Sequence, residues 1–181
     1  DKIRHVISGT YEVPNFLSDW ERDESILLRD GAGLPKASGT ERANYAALVP
    51  QCVETQPLPI PVIVFGHGMF GNALDSVKDF DFLHDMIQDN CVVIIGGDWI
   101  GLTNRQFAAV AFAMNDMNKG LSLTEKLQQS IMNAITLQKI TRNQLATNEA
   151  FQYNGQSIID TDRIWYFTLP ENGIRVRKIS E

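Results

Sequence analysis

The residues best placed to do chemistry lie at the end of one apolar run. Val62 to Phe65 lead directly into Gly66-His67-Gly68, followed by Met69, Phe70 and Gly71. Glycines at such a point let the backbone turn sharply and present amide N–H groups to a ligand. Amides already oriented in this way can stabilise the negative oxygen that develops in acyl transfer. A tight strand-to-helix turn with a buried, hydrogen-bonded His67 has the same pattern, and spacing alone does not separate the two readings. A second run, from Cys91 to Gly97, ends in Asp98-Trp99-Ile100-Gly101. The other histidines, His5 and His84, fall on an expected strand and an expected helix face, where surface or packing roles suffice. Two cysteines, Cys52 and Cys91, make neither a metal cluster nor a disulfide framework on count alone. No metal site and no cofactor are expected.

These residues need elements to hold them. Residues 3–17 mix β-branched and aromatic types and read as a strand with an irregular exit at Pro14, and residues 18–40 read as a charged, glycine-rich loop or short hairpin. A strand over residues 42–50 closes at Pro50, and the proline-rich stretch to Pro61 is an exposed connection. From there strands alternate with helices. Val77, Phe80, Leu83 and Ile87 recur at helical spacing, with Asn90 as the end of that helix. Val92 to Gly97 form a strand covered on both faces. Phe107, Val110, Ala111, Met114 and Met117 mark another helix, stopped by Gly120. Ser122 to Glu125 form a capping box opening a long helix carried by Leu127, Ile131, Ile135 and the polar Gln138 to about residue 145. Asp160 to Leu169 supply a last strand. This order implies an α/β fold, a mostly parallel sheet of about five strands with right-handed crossovers and flanking helices.

The bulk numbers bound the function. A chain of 181 residues can bury one good core, so one domain over 1–181 is expected. Its 16 basic and 22 acidic residues give a net charge of −6, spread without long single-sign runs. That disfavours nucleic acid as a partner and suits a small neutral or apolar ligand. No run approaches a membrane span, and no charged-then-apolar leader opens the chain. The first residue is Asp1 rather than methionine, so localisation is not legible there.

Val62 to Asn72, taken with the run from Cys91 to Gly101, resembles the third and fourth strands of the α/β-hydrolase superfamily of esterases, lipases and relatives. The Gly66 to Gly71 stretch is similar to that family's His-Gly-containing oxyanion loop, and Asp98 to Gly101 to the turn after its next strand. The resemblance extends from about Ala43 to Phe167. It implies an oxyanion hole built from backbone amides of Gly68 and of Met69 or Phe70. It also implies a structural His67 that holds the loop without acting as catalytic base, and a pocket rim shaped by Asp98 and Trp99. In that family the antiparallel second strand lies beside the fourth. Cys52 would then fall near Cys91, and a disulfide fits, which would imply an oxidising compartment, secreted or periplasmic. Two unpaired small apolar residues fit as well.

The family's nucleophile elbow, Gly-x-Ser-x-Gly after the fifth strand, has no counterpart here. Aligning Phe167 with the strand end puts Thr168, Pro170 and Asn172 where Gly, Ser and Gly belong. Pro170 carries no nucleophilic atom, and its fixed φ suits the elbow poorly. Thr168 has a hydroxyl two positions early and is a weak candidate. No histidine follows Pro170. The expectation is therefore the N-terminal portion of a serine-hydrolase domain, incomplete or diverged near Thr168. Such a chain would be inactive alone and would self-associate through an open sheet edge. The tail from Ile174 to Ile179 could form a short strand. The competing class is a non-catalytic binding or interaction module on the same scaffold. A dinucleotide-binding domain is disfavoured, because Asp98 matches the hydrolase turn better than a ribose-binding acid.

Overall fold

A computed structural model describes residues 2–116, 120–168 and 175–178. The main sheet has six strands in the order β1-β2-β4-β3-β7-β8. They are β1 (Ile3–Asn15), β2 (Gly39–Pro50), β3 (Ile60–Gly66), β4 (Val93–Gly97), β7 (Ile159–Thr168) and β8 (Arg175–Lys178). A separate small ribbon pairs β5 (Gln152–Tyr153) with β6 (Gln156–Ser157). The protein is thus α/β, with the helices α1 (Ala73–Asp79), α2 (Asp81–Asn90), α3 (Phe107–Asn115) and α4 (Gly120–Asn143) around a mixed sheet. Its centre is parallel: β3 pairs in parallel with both β4 and β7. On one side β2 runs antiparallel to β4 and β1 antiparallel to β2.

Neighbouring residues along β3 and β4 point to opposite faces, yet nearly all are buried, because helices cover both sides. Val62, Val64, Val93 and Ile95 face α4 through Leu137. Ile63, Phe65 and Ile94 face the other way, onto Val77, Leu83 and Ile87. Gly97 brings α4 close to the sheet: a Cβ there would stand 3.0 Å from Leu137 Cδ2 and 3.3 Å from the Tyr11 hydroxyl. The expected helix around Val77 to Ile87 is two helices, broken at Phe80, whose extended backbone ends α1 and begins α2. Asn90 is the last residue of α2, and Cys91 takes the left-handed cap position.

The long helix is turned the opposite way from its apolar pattern. Ile131 and Ile135 are exposed, as is Leu121, whereas Glu125, Lys126, Gln129, Ser130, Asn133 and Thr141 are buried beside Leu137. The cause is what α4 packs against. After β1 the chain forms an irregular strap, residues 16–38, held by isolated bridges at Leu17–Leu27 and Arg29–Pro35. Part of its main chain pairs within the strap, as Ser18 N–H with Ile26 O and Leu28 N–H with Phe16 O; the amides of Phe16 and Leu27 need partners elsewhere, since buried unpaired groups are costly. Gln129 serves them as a strand would: its Oε1 accepts from Phe16 N–H at 2.8 Å and its Nε2 donates to Pro14 O at 2.9 Å. Glu125 accepts from Leu27 N–H and pairs with Arg29 at 3.3 Å, and Lys126 pairs with Asp23 at 3.3 Å. Glu125 therefore does not close a capping box, and Ser122 lies within α4. On α3, Val110 and Ala113 are buried while Phe107, Ala111 and Met114 are exposed; Met117 lies outside the described residues. α3 ends at Asn115, so Gly120 begins α4 instead of stopping the preceding helix.

Tyr11 reaches the same seam from β1, and its hydroxyl donates to Asn133 O at 3.1 Å. Burial, with the Asp98 carboxylate nearby, pushes that hydroxyl well above the usual tyrosine range. Cys52 and Cys91 are joined in a disulfide with a Cα–Cα distance of 5.8 Å. It ties the end of β2 to the turn between α2 and β4, where Cys52 N–H also donates to Gln88 Oε1 at 3.2 Å. No helix among the described residues is long and apolar enough to cross a membrane.

Two stability measurements follow from this packing. In urea unfolding, Gln129→Leu costs about 3 kcal/mol, because it strands buried main-chain groups, while the exposed Ile131→Gln shifts stability by less than about 0.5 kcal/mol. Equal effects would contradict the inverted packing of α4. Closing a loop of 39 residues, the disulfide contributes about 4 kcal/mol by unfolded-state restriction. A Cys52→Ser, Cys91→Ser double variant should lose most of that stabilisation, and a reducing agent should then leave the double variant's unfolding curve unchanged.

Candidate functional site

β3 and β4 run in parallel and end together at Gly66 and Gly97, so the loops that follow emerge side by side at the carboxyl edge of the sheet. Ligands of open α/β sheets bind at this edge. The two loops are clamped to each other. Phe70 N–H donates to Leu102 O at 2.6 Å, and Gly71 bridges to Thr103. His67 makes the third tie: Trp99 N–H donates to its Nε2 at 2.8 Å, and its Nδ1 lies 2.7 Å from Gly68 O. An amide can only donate and a carbonyl can only accept, so the ring is the neutral tautomer with its proton on Nδ1. With both nitrogens engaged, the buried His67 has no lone pair to offer a substrate proton.

The amides of the loop divide into two groups. Phe70 holds a left-handed backbone, φ 61°, and its N–H is taken by Leu102. Its ring packs edge-on against Phe107 at 4.9 Å. Gly68 and Met69 are exposed, and their amides have no acceptor among the described residues. Of the three residues expected at an oxyanion hole, these two have free donors and Phe70 does not. A Cβ on Gly68 would meet nothing within 4 Å, so the backbone there is open to a ligand.

Asp98 works as a structural brace. Its Oδ1 accepts from Ala73 N–H at 2.8 Å, fixing the start of α1, and its Oδ2 accepts from Asn44 Nδ2 at 3.0 Å. Asn72 caps α1 by accepting from Asp75 N–H at 2.8 Å. The Trp99 side chain acts on the Tyr166 hydroxyl. Burial raises the pKa of that hydroxyl, and the neighbouring Trp99 side chain acts in the opposite direction. The loop after β4 is held from behind as well, by Ser130 Oγ donating to Ile100 O at 2.8 Å. Among these partners, Asn44, Leu102 and Ser130 carry no local sequence signal, since each meets the loop from a distant segment.

The strand expected to lead into a nucleophile is present: β7 ends at Thr168, which pairs with Gly66 at the same edge. Pro170 and Asn172 lie outside the described residues. Beyond them the chain returns as β8, antiparallel to β7 with Thr168 opposite Arg175 and Trp165 opposite Lys178. The outer side of β7, expected to stand open, is therefore paired. His5 is exposed on β1. His84 Nε2 lies 2.8 Å from Val77 O, far from the glycine loop in the packing of α2. Among the described residues no group of three or more His, Cys, Asp or Glu side chains could hold a metal ion.

No protein-family model matches the chain, and no curated protein matches it. Among solved structures it is similar to the S-formylglutathione hydrolase of Staphylococcus aureus, at 10% identity and a TM-score of 0.27, over 70% of this chain and 43% of that one. It is similar to a ferulic acid esterase at 12% identity and a TM-score of 0.27, over 62% of this chain and 44% of that one. The chain thus spans less than half the length of either. Likenesses at this distance assign no activity.

The tautomer of His67 is directly measurable. Long-range proton–nitrogen correlation at neutral pH should show a proton on Nδ1 and a bare Nε2, and a proton on Nε2 would contradict the clamp. His67→Ala removes both ties and should cost about 2 kcal/mol in urea unfolding.

Proposed function

We propose that the chain is an α/β-hydrolase-fold protein related to serine esterases and lipases, and that the chain by itself does not hydrolyse esters. The observation that carries this reading is the pair of free amides at Gly68 and Met69, in a loop fixed by His67 at the carboxyl edge of β3. In ester hydrolysis, charge collects on the carbonyl oxygen as the tetrahedral intermediate forms. Two amides held in place before that moment stabilise the charge without reorganising. The adjacency of β2 and β4, and the Cys52–Cys91 bond it permits, also support the family reading. That bond further favours an oxidising compartment, secreted or periplasmic.

Inactivity rests on what the acyl-transfer mechanism still needs. A nucleophile requires a base within hydrogen-bond reach. His67 is committed to the clamp, His84 to Val77, and His5 is on the far strand. Pro170 offers no nucleophile. A second reading, a non-catalytic interaction module, is favoured by the exposed apolar side chains of Phe107, Met114, Leu121, Ile131 and Ile135 on α3 and α4, since exposed apolar surface marks interaction sites.

The test has two parts. A serine-directed fluorophosphonate should leave the chain unlabelled, and p-nitrophenyl acetate should not be turned over above background; stoichiometric labelling would sink the claim of inactivity. Titration with methylphosphonate, followed by amide NMR, should shift Gly68 and Met69 and spare Phe70. Unmoved Gly68 and Met69 signals would remove the oxyanion loop from the proposal.

A further inference from the structure

A cleft of about 760 Å3 is lined by residues other than Gly66 to Gly71. Its lining comes from the β1–β2 pair, the start of α1 and the loop that follows β4, Asp98 and Thr103 included. Thr10, Arg42 and Tyr45 also line a second groove of about 580 Å3 that continues toward Gln144 and Asn148 beside α4. The two form one extended channel around the strand edge.

Its chemistry is polar but nearly uncharged in sum. Glu21 and Arg105 neutralise each other at 2.6 Å, and both oxygens of Asp98 are already accepting. Arg42 and Glu12, opposite each other in the β1–β2 register, form no ion pair with any described residue. Their charges cancel over the channel while leaving donors and acceptors free. The Asn104 amide and the Thr10 hydroxyl are likewise unpartnered among the described residues, and the half-buried aromatic rings of Trp20 and Tyr45 complete the walls. An acyl chain laid here would desolvate these groups without pairing them. A ligand that carries many hydroxyls can pair with them and lay its C–H faces on the rings.

We infer that this channel is a binding site for a neutral oligosaccharide, formed by Trp20, Tyr45, Arg42 and Asn104. The inference does not rest on the hydrolase reading, because the site shares no residue with the glycine loop.

The test is an array of neutral oligosaccharides probed with the full chain, followed by calorimetric titration of the tightest binder and, separately, of decanoate. The expected result is saccharide binding accompanied by a tryptophan fluorescence change. Arg42→Ala and Asn104→Ala, both at exposed positions, should each weaken binding, Arg42→Ala by about tenfold. Circular dichroism should show both variants folded. Absence of any saccharide binder overturns the inference, as does binding indifferent to both substitutions. Decanoate binding that is lost in the same variants also overturns it, because the channel would then be apolar in function. Unmoved Gly68 and Met69 amide signals in the methylphosphonate titration would leave this result untouched.

Discussion

The buried polar face of α4 is the constraint on which the rest of the structure depends. The strap after β1 pairs only part of its main chain internally and brings the Phe16 and Leu27 amides against α4. A helix face carrying Gln129 and Glu125 covers that surface and pairs the Phe16 and Leu27 amides. The hydrophobic gain from burying Ile131 and Ile135 instead is a few kcal/mol at most. Stranding several buried amides and carbonyls costs as much or more. Polar satisfaction therefore decides the rotation of the helix, and the apolar stripe is left outside.

That choice reaches the carboxyl edge of the sheet through short steps. Ser130 on α4 holds Ile100, and the adjacent Trp99 amide holds His67. His67 in turn holds the turn of the glycine loop through Gly68 O. On the other side Asp98 joins the first residue of α1 to Asn44 on β2. The two loops after β3 and β4 are thereby one rigid unit, with its free amides at Gly68 and Met69. Rigidity of this kind is what lets backbone donors stabilise developing charge. Asp98 and Thr103 of the same unit also line the polar cleft along β1 and β2, which Gly66 to Gly71 do not.

Sequence patterns carried the elements far better than their facing. Periodicity located the strands around Val64 and Ile94 and the helix face of Val77, Leu83 and Ile87, since each packs against apolar partners and its pattern records that packing. It located α3 and α4 as well and was silent on their facing, where Phe107, Met114, Ile131 and Ile135 have the spacing of a buried stripe and stay exposed. A period reports which residues share a face and not which face turns inward. The break at Phe80 also escaped, because nothing in Asp79-Phe80-Asp81 forbids a continuous helix.

At the site, the sequence by itself determined the glycine-histidine turn at the end of a buried strand, the acidic turn after the next, and the absence of a nucleophile at Pro170. Those are properties of residue type and order along one stretch of chain. Only the tertiary structure decided that Phe70's amide is consumed while Gly68's and Met69's are free. It alone fixed the tautomer of His67, the bracing role of Asp98, the joining of Cys52 to Cys91 and the channel beside Arg42. Each of those depends on a partner far away in the chain, and hydrogen-bond partners at long range leave no periodic trace in sequence.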